Sequence, residues 1–406
     1  LLIVQKYGGS SVATIELMEN VARRIIKTKE SGAKLVVVLS AQGDTTNRLA
    51  EMADAANPHG SKRERDMILA TGEQQSIALM ALILQRMGHY ARSLTGVQAG
   101  IATTAFHTTA RIKNINTERI LMELDRGNIV LVAGFQGQSR FEDVTTLGRG
   151  GSDTTAVALA AALEADACQI YTDVEGVFTA DPRVVPDAVK LDWISYDEML
   201  ELASMGAKVL EKRSVGLAKK YGVRLSVLSS HTEAEGTTIK EECNVEGIYI
   251  SGVVTNANIA RLSISGIQDA PGVWFKIFDA MNKADIAIDF VYQTKHANGT
   301  KDISFIVDIT RLDDALKAIE TNAHKLPHEA VTHDTDMAKI SAVSTGMATN
   351  PGVPSLMFEA LYNSGINIDS VSTSEIRVSV LIHKDQAETA ANIIHKKFQD
   401  ENLIRG

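Results

Sequence analysis

Along the first 240 or so residues, short apolar runs alternate with stretches in which apolar side chains recur every three to four positions. Leu1-Leu2-Ile3-Val4, leading into Gln5 and Lys6, has the length of a buried strand, as do Leu35-Val36-Val37-Val38-Leu39, Asn128-Ile129-Val130-Leu131-Val132 and Ala167 to Tyr171. Continuous apolarity over that length is what a sheet covered on both faces requires. Val223-Arg224-Leu225-Ser226-Val227 closes the series. Between the first two runs, Leu17, Met18, Val21, Ile25 and Ile26 trace one face of a helix. Ser195-x-x-Glu198 reads as a capping box ahead of Met199, Leu200 and Leu202. Strands interleaved with helices predict an α/β domain with a largely parallel sheet, in which ligands collect beyond the carboxyl ends of the strands.

The last third has another texture. Gly266, Pro271, Gly272, Val273, Phe278, Ala280, Ile286, Ile288 and Asp289 recur at a constant offset of 80 as Gly346, Pro351, Gly352, Val353, Phe358, Ala360, Ile366, Ile368 and Asp369. Both copies read strand, Pro-Gly turn, amphipathic helix, strand, so one supersecondary unit is used twice. A Pro-Gly turn feeding a helix leaves N–H groups free for a carboxylate, although a duplicated pairing domain would show the same pattern.

Composition narrows the classes. A chain of 406 residues exceeds what one core usually holds, so two or three domains are expected. The hydrophobic fraction of 45% and charged fraction of 22% are those of an ordinary globular protein, and the formal charge of -9 argues against a nucleic-acid partner. Cys168 and Cys243 cannot build a disulfide framework, and neither belongs to a metal-spaced cluster. The Leu1 to Val4 run is too short for a signal-peptide core, and no apolar run approaches the roughly 18 residues of a membrane span. A cytoplasmic location without a membrane partner is expected. The cluster Lys62, Arg63 and Arg65 is interleaved with Glu64 and Asp66 and reads as a solvated helix start.

Three stretches carry candidate chemistry. Thr145-Thr146-Leu147-Gly148-Arg149-Gly150-Gly151-Ser152-Asp153-Thr154-Thr155 precedes a small apolar run, Ala156 to Leu163. Its glycines allow close backbone approach to an anion, Ser152 or Asp153 can cap the following helix, and Arg149 offers a planar fork to a carboxylate or phosphate. Lys6 ends a strand and runs into Tyr7-Gly8-Gly9-Ser10-Ser11, where one ammonium can meet a transferring phosphoryl group. The spacing of a Walker A loop is absent. Tyr171-Thr172-Asp173-Val174-Glu175-Gly176-Val177-Phe178-Thr179-Ala180-Asp181-Pro182-Arg183 puts a carboxylate after a strand and then a polar turn. Each stretch read alone also fits a plain connection between core elements.

Taken together, Lys6 to Ser10, Ser40-Ala41, Thr71-Gly72-Glu73, Thr145 to Asp153 and Tyr171 to Arg183 resemble the aspartokinases, ATP-dependent aspartate kinases of the amino-acid kinase family. The resemblance spans essentially the whole chain. It implies an α/β fold, a carbamate-kinase-like sandwich with a mainly parallel central sheet, followed by two tandem α+β ACT domains. The implied division is a catalytic domain over 1–244, a linker and a strand shared with the second ACT domain over 245–258, and ACT domains over 259–335 and 336–406. It further implies a homodimer, or an α2β2 assembly with a separate regulatory subunit.

The resemblance also implies roles. Lys6 would neutralise charge on the transferring phosphoryl group, with Tyr7, Gly8, Gly9, Ser10 and Ser40 along the phosphate path. Thr172, Asp173, Phe178, Thr179, Asp181, Arg183 and Lys208 match nucleotide-contacting positions. Arg149, with Gly150, Gly151 and Ser152, would clamp the α-carboxylate of aspartate, Glu73 would hold its α-ammonium, and Thr46 would stand nearby. Charge pairing suggests that Asp153 orients Lys6. Mg2+ is expected as MgATP, without a dedicated protein cage. Lysine, threonine or both would act at Asp269, Gly272, Ile288, Asp289, Gln293, Gly352, Val353, Asn367 and Ile368. Because ATP and aspartate are anions, the site must be locally positive in an acidic chain.

Alternatives stay open at this stage. Glu73 reads equally as a first-turn acid complementing a helix dipole, and Lys208 unaided as a solvated helix residue. The ten histidines are scattered and read as structural or solvent-facing. Glu175 stands where the family usually has aspartate, Phe178 where tyrosine is common, Ala287 where asparagine is customary and Trp274 where a small residue is frequent, whereas Asn367-Ile368 is intact. A kinase for another amino acid, such as glutamate or acetylglutamate, and a catalytically inactive amino-acid sensor are the competing readings.

Overall fold

The computed structural model describes residues 1–207, 209–241, 249–344, 347 and 352–404. By contact the chain divides into two compact units, one built from residues 1–178 and 190–246, the other from 179–189 and 247–405.

In the first unit β1 (Leu2–Tyr7), α1 (Ile15–Glu30), β2 (Lys34–Leu39), α2 (Thr45–Ala56), α3 (Lys62–Leu69), α4 (Thr71–Arg86) and β3 (Ala91–Leu94) lead the chain. They are followed by β4 (Ile101–Thr103), β5 (Ile112–Ile115), α5 (Glu118–Asp125), β6 (Ile129–Ala133), β7 (Gln136–Gln138) and β8 (Val144–Thr146). Then come α6 (Gly151–Ala162), β9 (Ala167–Thr172), β10 (Trp193–Ser195), α7 (Tyr196–Ser204), α8 (Lys212–Tyr221), β11 (Leu225–Ser229) and β12 (Thr237–Lys240).

The apolar runs read from the sequence are the central strands of an eight-stranded sheet of order β10-β12-β11-β9-β1-β2-β6-β3. From β11 to β3 every neighbouring pair is parallel, and only the β11–β12 pair is antiparallel. Val36 to Leu39 and Val130 to Val132 are wholly buried, as strands covered on both faces must be. Met18, Val21 and Ile25 of α1 join Ile77, Met80 and Leu84 of α4 in one core against this sheet. The capping box is present at Ser195, whose side chain accepts from Glu198 N–H while Glu198 reaches back to Ser195 N–H.

A second, four-stranded sheet of order β5-β4-β7-β8 is not foreshadowed in the sequence, because its strands are three or four residues long and lack a clean alternation. Across α3 and α4, Lys62–Arg86 contains an 18-residue window whose length and mean hydropathy would pass for a membrane span, although Thr71 to Ser76 interrupt it and no unbroken apolar run of that length occurs there. Of that window 56% is buried inside the protein, so its apolarity serves packing.

The second unit carries β13 (Gly252–Asn256), β14 (Ile259–Gln268), α9 (Val273–Lys283), β15 (Asp289–Lys295), β16 (Thr300–Asp308), α10 (Leu312–Thr321) and β17 (Ala330–Asp334). It ends with β18 (Met337–Val343), α11 (Gly352–Asn363), β19 (Ser370–Thr373), β20 (Arg377–His383) and α12 (Ala387–Asp400). Two antiparallel sheets result, of order β15-β16-β14-β17 and β13-β18-β20-β19. The repeat is visible in them, since Val273 and Val353 occupy matching core positions near the start of α9 and α11. β13 pairs with β18, so the second module takes a strand from before the first. The hairpin 179–189 packs with this unit through Asn392 of α12, whose amide donates to Val184 O at 2.8 Å.

Candidate active site

Strands β9, β1 and β2 are parallel neighbours, so their carboxyl ends lie side by side. Lys6 is the penultimate residue of β1, Ser40 follows β2 and Asp173 follows β9. Backbone bonds join the turns that follow: Gly8 N–H donates to Tyr171 O at 3.4 Å, Ser40 N–H to Tyr7 O at 3.2 Å and Gly43 N–H to Gly9 O at 3.0 Å. A Cβ on Gly9 would stand 2.8 Å from Ala41 O, and one on Gly8 would stand 3.5 Å from Lys6 Nζ. The Gly-Gly pair therefore lets one turn pass over the ammonium and press against the next.

The glycine-rich stretch Gly148 to Gly151 delivers α6 to the same place. Gly148 and Gly150 take φ values of 81° and 66°, and Gly150 is the residue that precedes the helix. The expectation that Ser152 or Asp153 caps a later helix is corrected: α6 starts at Gly151, no side chain caps it, and both residues lie in its first turn. Left-handed Gly150 makes the turn without a side-chain acceptor, which leaves Asp153 to reach Lys6 Nζ at 2.6 Å. The two side chains are only 11% and 12% exposed. A carboxylate in the first turn of a helix is favoured by the helix dipole, and each group of the pair offsets part of the cost of burying the other. Arg149 is exposed in the turn just before.

Glu73, in the first turn of α4, is 3% exposed. One carboxylate oxygen accepts from Ala41 N–H at 3.2 Å, and the other is buried without a partner. Burial pushes this carboxyl up to about 8. A Cβ on Gly72 would lie 2.9 Å from Ala41 Cβ and 3.4 Å from Thr45 Cγ2, so glycine is what allows α4 to start against the turn after β2 and the first residue of α2, which Thr46 follows in the chain. An acid held there with a free oxygen has room in its bonding for a cation.

Two charged residues that the sequence did not single out touch the glycine turn. Glu211, just before α8, leans on Gly150, where a Cβ would come 1.8 Å from its Cγ. Burial raises the Glu211 carboxyl, the charge of Asp153 adds to this, and Arg149 opposes it. Arg213 donates to Leu147 O at 2.9 Å and to Ala110 O at 2.9 Å. Asp66, read as part of a solvated helix start, is wholly buried, and its carboxylate accepts from Thr146 Oγ1 at 2.6 Å. Lys62, Arg63 and Glu64 are exposed as expected, and Arg65 is half-buried. Only the fold shows that the helix turns this one acid inward.

Of the remaining candidates, Tyr7 is buried and stacked on Tyr171, Ser10 is exposed, and Thr172 donates to Asp173 Oδ1 at 3.1 Å. Phe178 is half-buried and bridges to Lys190. Thr179, expected at the nucleotide, is instead fully buried inside the second unit. There its hydroxyl meets His395 Nε2 at 2.8 Å and accepts from Val189 N–H at 2.9 Å. Asp181 and Arg183, also in that unit, are exposed and paired with each other at 2.7 Å. Lys208 lies outside the described residues.

In the second unit Asp269 sits between Lys295 and Lys301 at 2.8 and 3.0 Å, and these ammonium groups hold its carboxyl below the usual range. Gly272 precedes α9 at φ 89° without a side-chain cap. Gln293 and Asn367 are exposed, Gly352 opens α11, and Ile288 and Ile368 pack on their module cores with Val353. Asp289 pairs with Lys339 of the other module, and its repeat-mate Asp369 accepts from Arg261 at 2.7 Å. Burial alone would raise the Asp289 carboxyl, but the Lys339 ammonium outweighs it and holds it low.

Among the described residues no three His, Cys, Asp or Glu side chains converge as metal ligands. An open depression of about 510 Å3, lined by Trp193, Tyr196, Arg224, Lys240 and others, lies at the amino ends of β10 and β11, whereas Lys6 is at the carboxyl end of the parallel strand β1, and it takes no part in this constellation.

Comparison with known proteins bears on the family and the fold. Residues 2–229 match the amino acid kinase family, and residues 340–398 match an ACT domain. An aspartokinase of Corynebacterium glutamicum is 47% identical over 407 residues, covering 98% of this chain and 96% of its own. One from Mycolicibacterium smegmatis is 46% identical over 403 residues, with the same shares of 98% and 96%. Among solved structures, E. coli aspartokinase III in complex with aspartate and ADP superposes with a TM-score of 0.84 at 23% identity, covering 98% of this chain and all of that one, a likeness of fold. Aspartate kinase from Synechocystis is 39% identical with a TM-score of 0.55, covering 98% of this chain and 70% of that one.

Proposed function

The chain belongs to the aspartokinases of the amino acid kinase family, and from that premise we propose that it transfers the terminal phosphoryl group of ATP to the β-carboxylate of L-aspartate, giving ADP and 4-phospho-L-aspartate. A carboxylate oxygen attacks the terminal phosphorus, and the bond from that phosphorus to the bridging oxygen of ADP breaks. No general base is required, because the attacking carboxylate is already ionised. Catalysis is then positioning and charge neutralisation.

The observation that carries this reading is the Lys6–Asp153 pair at 2.6 Å under the Gly8-Gly9 turn. Lys6 would neutralise the phosphoryl group in flight, and Asp153 would hold the ammonium on its line without touching substrate. Arg149 would clamp the α-carboxylate. Glu73, with its unpartnered oxygen, would take the α-ammonium, beside Thr46 and Ser40. Gly8, Gly9, Ser10, Thr172 and Asp173 would line the path of the nucleotide. Magnesium would arrive bound to the nucleotide phosphates and offset their charge, as it commonly does when few carboxylates are on offer.

Lysine, threonine or both would inhibit through the two ACT modules, at the α9 amino terminus and beside Asn367. The chain would work as a homodimer or with a separate regulatory subunit. ADP release measured with aspartate, glutamate and acetylglutamate in turn tests the substrate, and repeating it with lysine and threonine, singly and together, tests the regulation. Turnover with glutamate but not aspartate would favour a different amino-acid kinase, and none with any would favour a sensor.

A further inference from the structure

Asp66 is wholly buried, yet its charge is spent on a single neighbourhood. Its carboxylate accepts from Thr108 N–H at 3.1 and 3.0 Å, lies 2.9 Å from His107 Nδ1, and accepts from Thr146 Oγ1 at 2.6 Å. Burying a carboxylate is costly unless donors surround it, and here three groups do. Thr146 is the last residue of β8 and stands three residues before Arg149. Ala110 N–H donates to Thr146 O at 2.9 Å, and Arg213 grips the same two segments from Leu147 O and Ala110 O. A Cβ on Gly148 would stand 3.1 Å from Thr108 O, so the segment held by Asp66 also forms the floor under the glycine turn.

The other end of this connection is Glu73. Asp66 lies on α3, and Glu73 in the first turn of α4, with Ala70 as the joint between the helices. The joint is fixed to the small sheet a second time, since the Gln136 side-chain amide donates to Ala70 O at 2.8 Å and Gln136 is the ladder partner of Thr146. The α3–α4 joint and the root of the Arg149 turn are thus one rigid piece.

We infer that Asp66, acting through Thr146, is a positioning residue that sets the spacing between the acid that receives the substrate's ammonium and the arginine that receives its α-carboxylate. This rests on the functional reading above. Neither Asp66 nor Thr146 touches substrate. Loss of the link lets the two clamps drift apart, which weakens the hold on a small zwitterion while leaving Lys6 and the nucleotide path in place.

The test uses full-length wild type, Thr146→Val, Thr146→Ser and Asp66→Asn, with KM measured separately for aspartate and for ATP. Thr146→Val removes only the hydroxyl and keeps the shape, so it remains informative if Asp66→Asn does not fold. The expected result is a rise in KM for aspartate of about tenfold or more in Thr146→Val, since small misplacements at a binding clamp are expensive. The KM for ATP should change by less than about twofold, and Thr146→Ser should behave as wild type. An equal rise in both KM values, an unchanged KM for aspartate in Thr146→Val, or a Thr146→Ser as poor as Thr146→Val would overturn the inference. A wild type that forms no ADP with aspartate would defeat the functional reading itself, and this inference with it.

Discussion

Glu73 ties proton binding to substrate binding. In the free site its carboxyl stands at about 8 against an ordinary 4.5, a displacement of about 5 kcal/mol against the charged form. At pH 7 the empty site is therefore mostly protonated. An arriving ammonium needs the carboxylate, so aspartate must expel that proton, and its apparent affinity should improve as pH rises. With a value of about 8, KM for aspartate follows one plus ten to the power of the value minus pH, and drops about 25-fold between about pH 6.5 and pH 8.5. In Glu73→Gln the slope should vanish, and KM should rise by about 30-fold or more, as expected when one partner of a buried charge pair is removed. The assay is coupled ADP release at saturating ATP, with aspartate varied at each pH. A wild-type KM independent of pH, or a glutamine variant that keeps the slope, would refute the reasoning. The same displacement bears on stability. Because the folded, ligand-free chain keeps a proton that the unfolded chain loses between 4.5 and about 8, Glu73 contributes most below 4.5, and that contribution is lost as pH rises through about 8.

Three further outcomes follow from the geometry. Lys6→Ala should lower kcat by about 100-fold or more while aspartate still binds, measured by turnover alongside calorimetric titration with aspartate, because what is lost is the ammonium that neutralises the moving phosphoryl group. Gly150→Ala should lose most activity, since position 150 has φ 66° and its Cβ would stand 1.8 Å from Glu211 Cγ; Glu211→Ala in the same chain should recover part of it. Asp289→Asn leaves the Lys339 ammonium, only 4% exposed, without its carboxylate. It should lower the thermal midpoint more than Asp279→Asn, whose partner Lys283 is 61% exposed.

The parallel sheet was legible because β6, and β2 from Leu35 onward, are buried and had to be written as unbroken apolar runs. The ends of β1, β2 and β9 followed from the glycines and hydroxyls just past them, and the structure does bring Lys6 and Asp153 together. What stayed hidden depends on long-range packing. The strands β4, β5, β7 and β8 are too short to carry a period, and β5 has no buried residue at all. Asp66 sits among four charged neighbours that point outward, so only the approach of Thr108 and Thr146 distinguishes it. Thr179 belongs to a motif that reads as one turn, yet the buried imidazole of His395, 216 residues away, takes up its hydroxyl. Ser152 and Asp153 resembled caps because a polar residue before an apolar run usually is one, whereas left-handed Gly150 already supplied the turn.

The account depends on one chemical event, transfer of phosphate to a side-chain carboxylate held opposite Lys6. Trapping the product with hydroxylamine measures it directly, since an acyl phosphate yields a hydroxamate and a phosphate ester does not. Wild type with ATP and aspartate should give β-aspartyl hydroxamate in step with ADP, and Lys6→Ala should give almost none. ADP formed without hydroxamate, or hydroxamate formed as fast by Lys6→Ala as by wild type, would contradict it.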